Sequence, residues 1–146
     1  MRIALGCDHR GLKLKQAIMG LLTELGHDYE DFGCYSSDPV DYPDVAKQVA
    51  GTVVSGEFEH GILICSTGIG MSIAANKVKG IRAAACCSIF AAEGARRHND
   101  ANILCLGEDT LEQASALDIV KIYLSTTFEG GRHLRRLEKI RNLEAA

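Results

Sequence analysis

The chain has 146 residues, 47% of them hydrophobic and 24% charged, with a formal net charge of −3 at pH 7. That balance is ordinary for one globular domain spanning 1–146, and it excludes the basic field expected of a nucleic-acid binder. No stretch approaches the roughly 18 consecutive apolar residues of a membrane span, and Asp8 and His9 interrupt any apolar signal core behind Met1, so a cytoplasmic protein is expected.

Arg2–Cys7 reads as a first strand, centred on Ile3, Ala4 and Leu5. Leu12, Ala17, Ile18, Leu21, Leu22 and Leu25 then recur at helical spacing, and Gly26 is placed to stop that helix. Residues 29–32 form a second predicted strand closed by Gly33. After a polar loop, Pro43 and Asp44 suit the first turn of a helix carrying Val45, Val49, Val53 and Val54 and ending at Gly56. Residues 62–65 are a third strand, followed by a small-residue turn, Ser66-Thr67-Gly68-Ile69-Gly70, and a helix through Ile73 to Lys77. Residues 82–87 and 102–106 complete the predicted strands, with a short helix over 90–97 between them. An amphipathic helix over 111–124 comes next, and Gly130-Gly131 precedes a basic helix over about 132–143.

Five short strands each followed by a helix argue for an α/β fold. The expected form is a three-layer, Rossmann-like, five-stranded parallel sheet with helices on both faces and a basic C-terminal helix. The strands read as near-continuous apolar runs, as expected when both sheet faces are buried. Ligands of such sheets bind at the carboxyl ends of strands. The positions to inspect are therefore Asp8 and His9, Cys65 to Gly70, His98 and Asn99 after the fourth helix, and the loop after Leu106. His27 and His60 read as ordinary surface residues.

The strand–glycine turn–helix over residues 61–77 is the arrangement that aims backbone N–H groups at an anion. It is not a Walker A loop, because Met71 follows Gly70, and Ile73 stands where a dinucleotide fingerprint needs its third glycine. It is either a structural turn or a cradle for a phosphate or a negative oxygen formed in a reaction. Cys65 ends its strand beside the positive end of the next helix, a setting that favours thiolate. It reads as nucleophile, general base or core packing. Of the six cysteines, Cys7, Cys86, Cys87 and Cys105 read as small buried hydrophobes, and no ligand spacing suggests a metal. Asp8-His9 and His98-Asn99-Asp100 can move protons near neutral pH. Arg132 and Arg136, four residues apart on one helical face, can clamp a phosphate. With a negative net charge, that local pair suits a small phosphorylated ligand better than a polyanion.

Six segments in order resemble the ribose-5-phosphate isomerase B family, which also includes galactose-6-phosphate and allose-6-phosphate isomerases. They are GCDHRG (6–11), DYPD (41–44), GILICSTGIGMSIAANK (61–77), GIRAA (80–84), RHNDANIL (97–104) and EGGRHLRR (129–136). The resemblance implies a cofactor-free, metal-free aldose–ketose isomerase acting on a phosphorylated monosaccharide, first of all ribose 5-phosphate. The alternatives are allose 6-phosphate, galactose 6-phosphate, a tetrose phosphate, or a non-catalytic sugar-phosphate-binding partner subunit. It implies Cys65 as the base moving a proton between C1 and C2, with His98, Thr67 and Asp8 opening the sugar ring. Backbone N–H groups of Ser66, Thr67, Gly68, Ile69 and Gly70 would hold the enediolate oxygen. His9, Arg132 and Arg136 would bind phosphate and Asn99 the sugar. It further implies a homodimer, or a tetramer built from it, whose site is shared between subunits, with the helix over 132–143 reaching the partner. Two positions depart from the family pattern: Ser66 stands for a glycine, and Asp109 for a phosphate-binding arginine.

Overall fold

The computed structural model describes residues 1–145. Strand and helix alternate as β1 (Arg2–Cys7), α1 (Leu12–Glu24), β2 (Asp28–Asp31), α2 (Tyr42–Val54), β3 (His60–Cys65), α3 (Ile69–Ala75), β4 (Ala83–Ala85), α4 (Ile89–Arg97), β5 (Ile103–Gly107), α5 (Gln113–Ser125) and α6 (Arg132–Glu144). The strands form one parallel sheet in the order β2-β1-β3-β5-β4, so the expected α/β architecture is what the chain adopts. Among the described residues, no helix is long and apolar enough to cross a membrane.

Side chains alternate across the sheet and build two cores. On one face Ile3, Leu5, Ile62, Ile64, Leu104 and Leu106 pack with residues of α1, α4 and α5. On the other, Ala4, Leu63, Cys65, Ile103 and Cys105 pack with Val45, Val49 and Val53 of α2 and Met71 and Ala75 of α3. Burial of these branched side chains is the main stabilising term, about 1.5–3 kcal/mol for each one removed from water.

The near-continuous apolar pattern holds for β1, β3 and β5 and fails at the sheet's two edges. β2 reads DYED and its residues are exposed or half-buried. β4 is three alanines with the last exposed, shorter than the expected 82–87. An edge strand pairs on one side only and needs less apolar surface. Cys87 falls beyond β4 and is exposed, correcting the reading that made it a core residue.

His60 is also corrected. It lies inside β3 at 8% exposure, because parallel pairing carries that strand back to His60 opposite Ile3. Tyr123 gives its hydroxyl hydrogen to the Ala101 carbonyl at 2.8 Å, so His60 Nδ1, 3.0 Å from that hydroxyl, is the donor to it. Burial, and then the nearby Arg96 guanidinium, lower the His60 pKa to about 4.

Candidate active site

Strand order fixes where a site can form. From β1 the chain crosses to β2 on one side and then returns to β3 on the other, so the order reverses between β1 and β3. The crevice outside their carboxyl ends is the expected ligand position in such a sheet. Asp8 and His9 follow β1 there, Cys65 ends β3, and Gly107 ends the neighbouring β5.

Cys65 projects toward the α2–α3 face and is 5% exposed. Its Sγ accepts the Gly68 N–H at 3.1 Å. That bond requires the chain to turn back on itself, and Gly68 does so at φ 80°, a left-handed conformation. Thr67 Oγ1 accepts the Ile69 N–H at 3.2 Å. Two of the amides expected to cradle an oxygen are therefore engaged within the turn. Among the described residues, the Gly70 and Met71 N–H groups have no partner, as the opening turn of a helix leaves them. The turn is held from both sides. A Cβ on Gly70 would lie 2.7 Å from the Tyr42 ring, and one on Gly107 would lie 2.6 Å from the Thr67 carbonyl carbon. Contact this close explains why glycine stands at both positions, and why Tyr42 of the DYPD segment belongs beside the turn.

The loops after β1 and β5 complete this edge. Asp8 is 6% exposed, and its Oδ1 accepts the Arg10 N–H at 2.9 Å. His9 Nδ1 accepts the Val40 N–H at 3.3 Å; this places the ring proton of neutral His9 on Nε2, free to donate. Backbone bonds from Glu108 N–H to Cys65 O (2.9 Å) and Asp109 N–H to Ser66 O (3.0 Å) tie the β5 loop to the β3 turn. The two unusual residues, Ser66 and Asp109, meet each other. Ser66 Oγ donates to Asp109 Oδ2 at 2.7 Å, and Arg10 Nη2 donates to the same oxygen at 2.9 Å. The Ser66 hydroxyl first, and Arg10 second, hold the Asp109 carboxyl below its ordinary range.

The remaining predicted residues lie at the opposite end of the sheet. His98 caps the C-terminus of α4 and Asn99 follows it, leading into the start of β5. His98 and Asn99 are exposed, as are Arg132 and Arg136 on α6. α6 packs at the same end: His133 stacks on His98 with ring centroids 4.5 Å apart, and Glu144 accepts the Gly80 N–H. β5 alone separates the two edges by about 16 Å, at roughly 3.3 Å per residue. His98 and Asn99 therefore do not share a strand-end crevice with Cys65 of their own chain, which corrects their placement among the carboxyl-edge residues.

Arg10, Tyr42, Glu129 and His133 are the residues of these two edges that sequence reasoning missed. Glu129 and His133 stand four apart across the start of α6, a spacing visible in EGGRHLRR. His133 is 5% exposed, and its Nε2 is the one buried side-chain polar atom without a hydrogen-bond partner among the described residues. Burial, then the charges of His98 and the two arginines, hold its pKa below the usual histidine value against the opposing pull of Glu129. His98, Glu129 and His133 offer donor atoms within 4.8 Å of one another. The imidazole planes, however, are only 21° apart, so their lone pairs run side by side and do not converge, and Arg97 already holds Glu129. With Arg132 and Arg136 beside it, this corner suits an anion better than a cation.

The chain was compared with known proteins. The profile of the ribose/galactose isomerase family matches residues 3–140. The ribose-5-phosphate isomerase B of Escherichia coli is 47% identical over 143 residues, covering 98% of this chain and 96% of the other. The D-erythrulose-4-phosphate isomerase of Pectobacterium atrosepticum is 40% identical over 144 residues, covering 96% and 93% respectively. The solved structure of Clostridium thermocellum ribose-5-phosphate isomerase B superposes with a TM-score of 0.98 at 50% identity, over 99% of this chain and 98% of that one.

Proposed function

We infer the reaction from one premise: this chain belongs to the ribose/galactose isomerase family. It is an aldose–ketose isomerase of sugar phosphates, and ribose 5-phosphate with ribulose 5-phosphate is the substrate pair. The observation that carries the reading is Cys65 at the switch point, with its sulfur beside a turn that leaves amides such as those of Gly70 and Met71 unpaired.

In the mechanism we propose, the Cys65 thiolate takes the proton from C2 of the open aldose and returns it to C1. The C2–H electron pair moves into the C1–C2 bond as charge develops on O1, and the turn amides stabilise that charge as it forms. The O2 hydroxyl proton passes to O1 as C1 takes up its proton and C2 becomes the carbonyl. No electrons leave the substrate, so the chemistry calls for no redox cofactor. His98, with Thr67 and Asp8, opens the ring. His9, Arg132 and Arg136 hold the phosphate and Asn99 the sugar; binding remote from the reacting carbons fixes their register.

These residues divide between the two edges of one chain, so the complete site forms when the His98 edge of a second copy meets the Cys65 edge of the first. Apolar surface supports that homodimer: Ile69 and Ile73 of α3 and Phe90 of α4 are 57%, 58% and 89% exposed beside the Cys65 edge. A tetramer would pair two such dimers. Unpaired cysteines throughout the described chain fit a reducing cytoplasm.

Steady-state turnover of ribose, allose, galactose and tetrose phosphates measured side by side tests the substrate. Asp109 beside the turn, together with the erythrulose-phosphate relative, favours tetrose phosphate as the second reading. Cys65→Ala is expected to lower kcat by about 10²–10⁴-fold while sugar-phosphate binding, read by calorimetry, survives. Near-full activity in that variant would remove Cys65 as the base.

A further inference from the structure

We propose that Arg10, aimed by Asp109, is a substrate-binding residue that receives the anionic group of the sugar phosphate at the Cys65 edge. The proposal rests on the isomerase reading above and adds to it a guanidinium supplied by the same chain as the base.

Position comes first. Arg2 opens β1, Arg82 precedes β4 and Arg96 and Arg97 end α4, all at the amino-terminal end of the sheet, and Arg132, Arg135, Arg136 and Arg141 lie on α6. Among the described residues, Arg10 is thus the one arginine placed beside the Cys65 turn of its own chain. Ser66 Oγ and Arg10 Nη2 both bond Asp109 Oδ2, at 2.7 and 2.9 Å. The guanidinium therefore lies within about two hydrogen-bond lengths of the residue that follows Cys65.

The hydrogen-bond pattern supplies the second argument. Arg10 is held at both ends, its N–H by Asp8 Oδ1 and its Nη2 by Asp109. Asp109 is itself pinned by its own N–H to Ser66 O. An ion pair whose side chains are 58% and 43% exposed adds little to stability; what the clamp does is fix the direction of a long, rotamer-rich side chain. Among the described residues, Nη1 and Nε of Arg10 have no partner, which leaves donors on either side of the engaged Nη2 free for phosphate oxygens. Glu108 does not compete for them. Glu108 is engaged in accepting the Leu14 N–H at 2.7 Å, and Lys13, on the rim of the cavity of about 270 Å³ that Asp109 also lines, adds a second positive charge.

Arg10→Ala, Arg10→Lys and Asp109→Asn test this by steady-state kinetics on ribose 5-phosphate, with inorganic phosphate as competitive inhibitor. Removing a charge-assisted contact predicts that Arg10→Ala raises KM by about 10- to 100-fold, with kcat held within about threefold. The inhibition constant for phosphate should rise by the same factor. Arg10→Lys should recover part of the KM, since it restores the charge without the planar set of donors, and Asp109→Asn should raise KM less than Arg10→Ala. Unchanged KM and phosphate inhibition in Arg10→Ala would make the pair a surface contact only and overturn the proposal. So would a fall in kcat at constant KM, which marks a disturbed turn. Thermal melts of each variant identify misfolding, and Arg10→Lys carries the test if Arg10→Ala is unstable. Should the wild-type protein turn over no sugar phosphate, the isomerase reading fails instead. Calorimetric phosphate binding to wild type and Arg10→Ala then judges Arg10 separately: equal affinities overturn its role, and weaker binding by the variant sustains it.

Discussion

At the scale of single residues, His60 is the clearest source of pH-dependent stability. Its pKa falls from 6.5 to about 4 on folding, so between those values the unfolded chain takes up a proton that the folded chain refuses. Stability from this group is present above pH 6.5 and is lost as pH falls toward 4, by about 3 kcal/mol in all. In urea titrations, His60→Gln should flatten the stability profile between pH 6.5 and 4 relative to wild type; parallel profiles would sink the assignment. The sequence offers little sign of this role. His60 sits between Glu59 and Gly61 and looks like a loop residue, while the group that accepts its proton, Tyr123, is 63 positions away. Arg10 was equally hidden, since its partner Asp109 lies 99 positions on. The places of Cys65, Thr67, Asp8 and His9 at strand ends were legible, because local motif and the strand pattern suffice to set them. Only their bonding, such as the Gly68 N–H turned onto Cys65 sulfur, depended on the fold.

At the scale of elements, what positions Cys65 is the close packing of the β3–α3 turn against the end of β5. The closest approach is at Gly107, where a methyl group would meet the Thr67 backbone at 2.6–2.7 Å. Backbone cannot move aside as a flexible side chain can, so Gly107→Ala should force the turn outward at a cost of about 1–3 kcal/mol. The expected result is a folded protein with a lower melting temperature and a kcat reduced by at least about tenfold, because misplacing a base by an ångström costs on that order or more. A variant with lower stability and intact kcat would show that the turn does not need β5 to hold Cys65. Alternation of strand and helix was readable from periodicity because β1, β3 and β5 are buried on both faces. The edges were less so: β2 came out one residue late and β4 too long, since an edge strand with one neighbour leaves a weak apolar pattern.

At the scale of the molecule, the proposed site shared between subunits, with Cys65 and His98 at opposite ends of the sheet, makes a prediction that no single-chain enzyme shares. Cys65→Ala and His98→Asn should each be nearly inactive as pure proteins. After subunits exchange in an equal mixture, half the dimers are mixed on statistical grounds. Each mixed dimer of twofold symmetry then carries one site with both wild-type residues and one with neither, giving about a quarter of the wild-type specific activity. Were Cys65 and His98 of the same chain to work together, every site in the mixture would carry one defect and activity would stay at the level of the parents. Subunit exchange can be followed independently by mass spectrometry of differently tagged chains, so absent activity with confirmed mixed dimers would count against the shared site. The topology supports the first outcome. A parallel strand must place its two ends on opposite edges, and with Cys65 at the end of β3 and His98 leading into β5, closing the gap within one chain would require unravelling the sheet that positions them both.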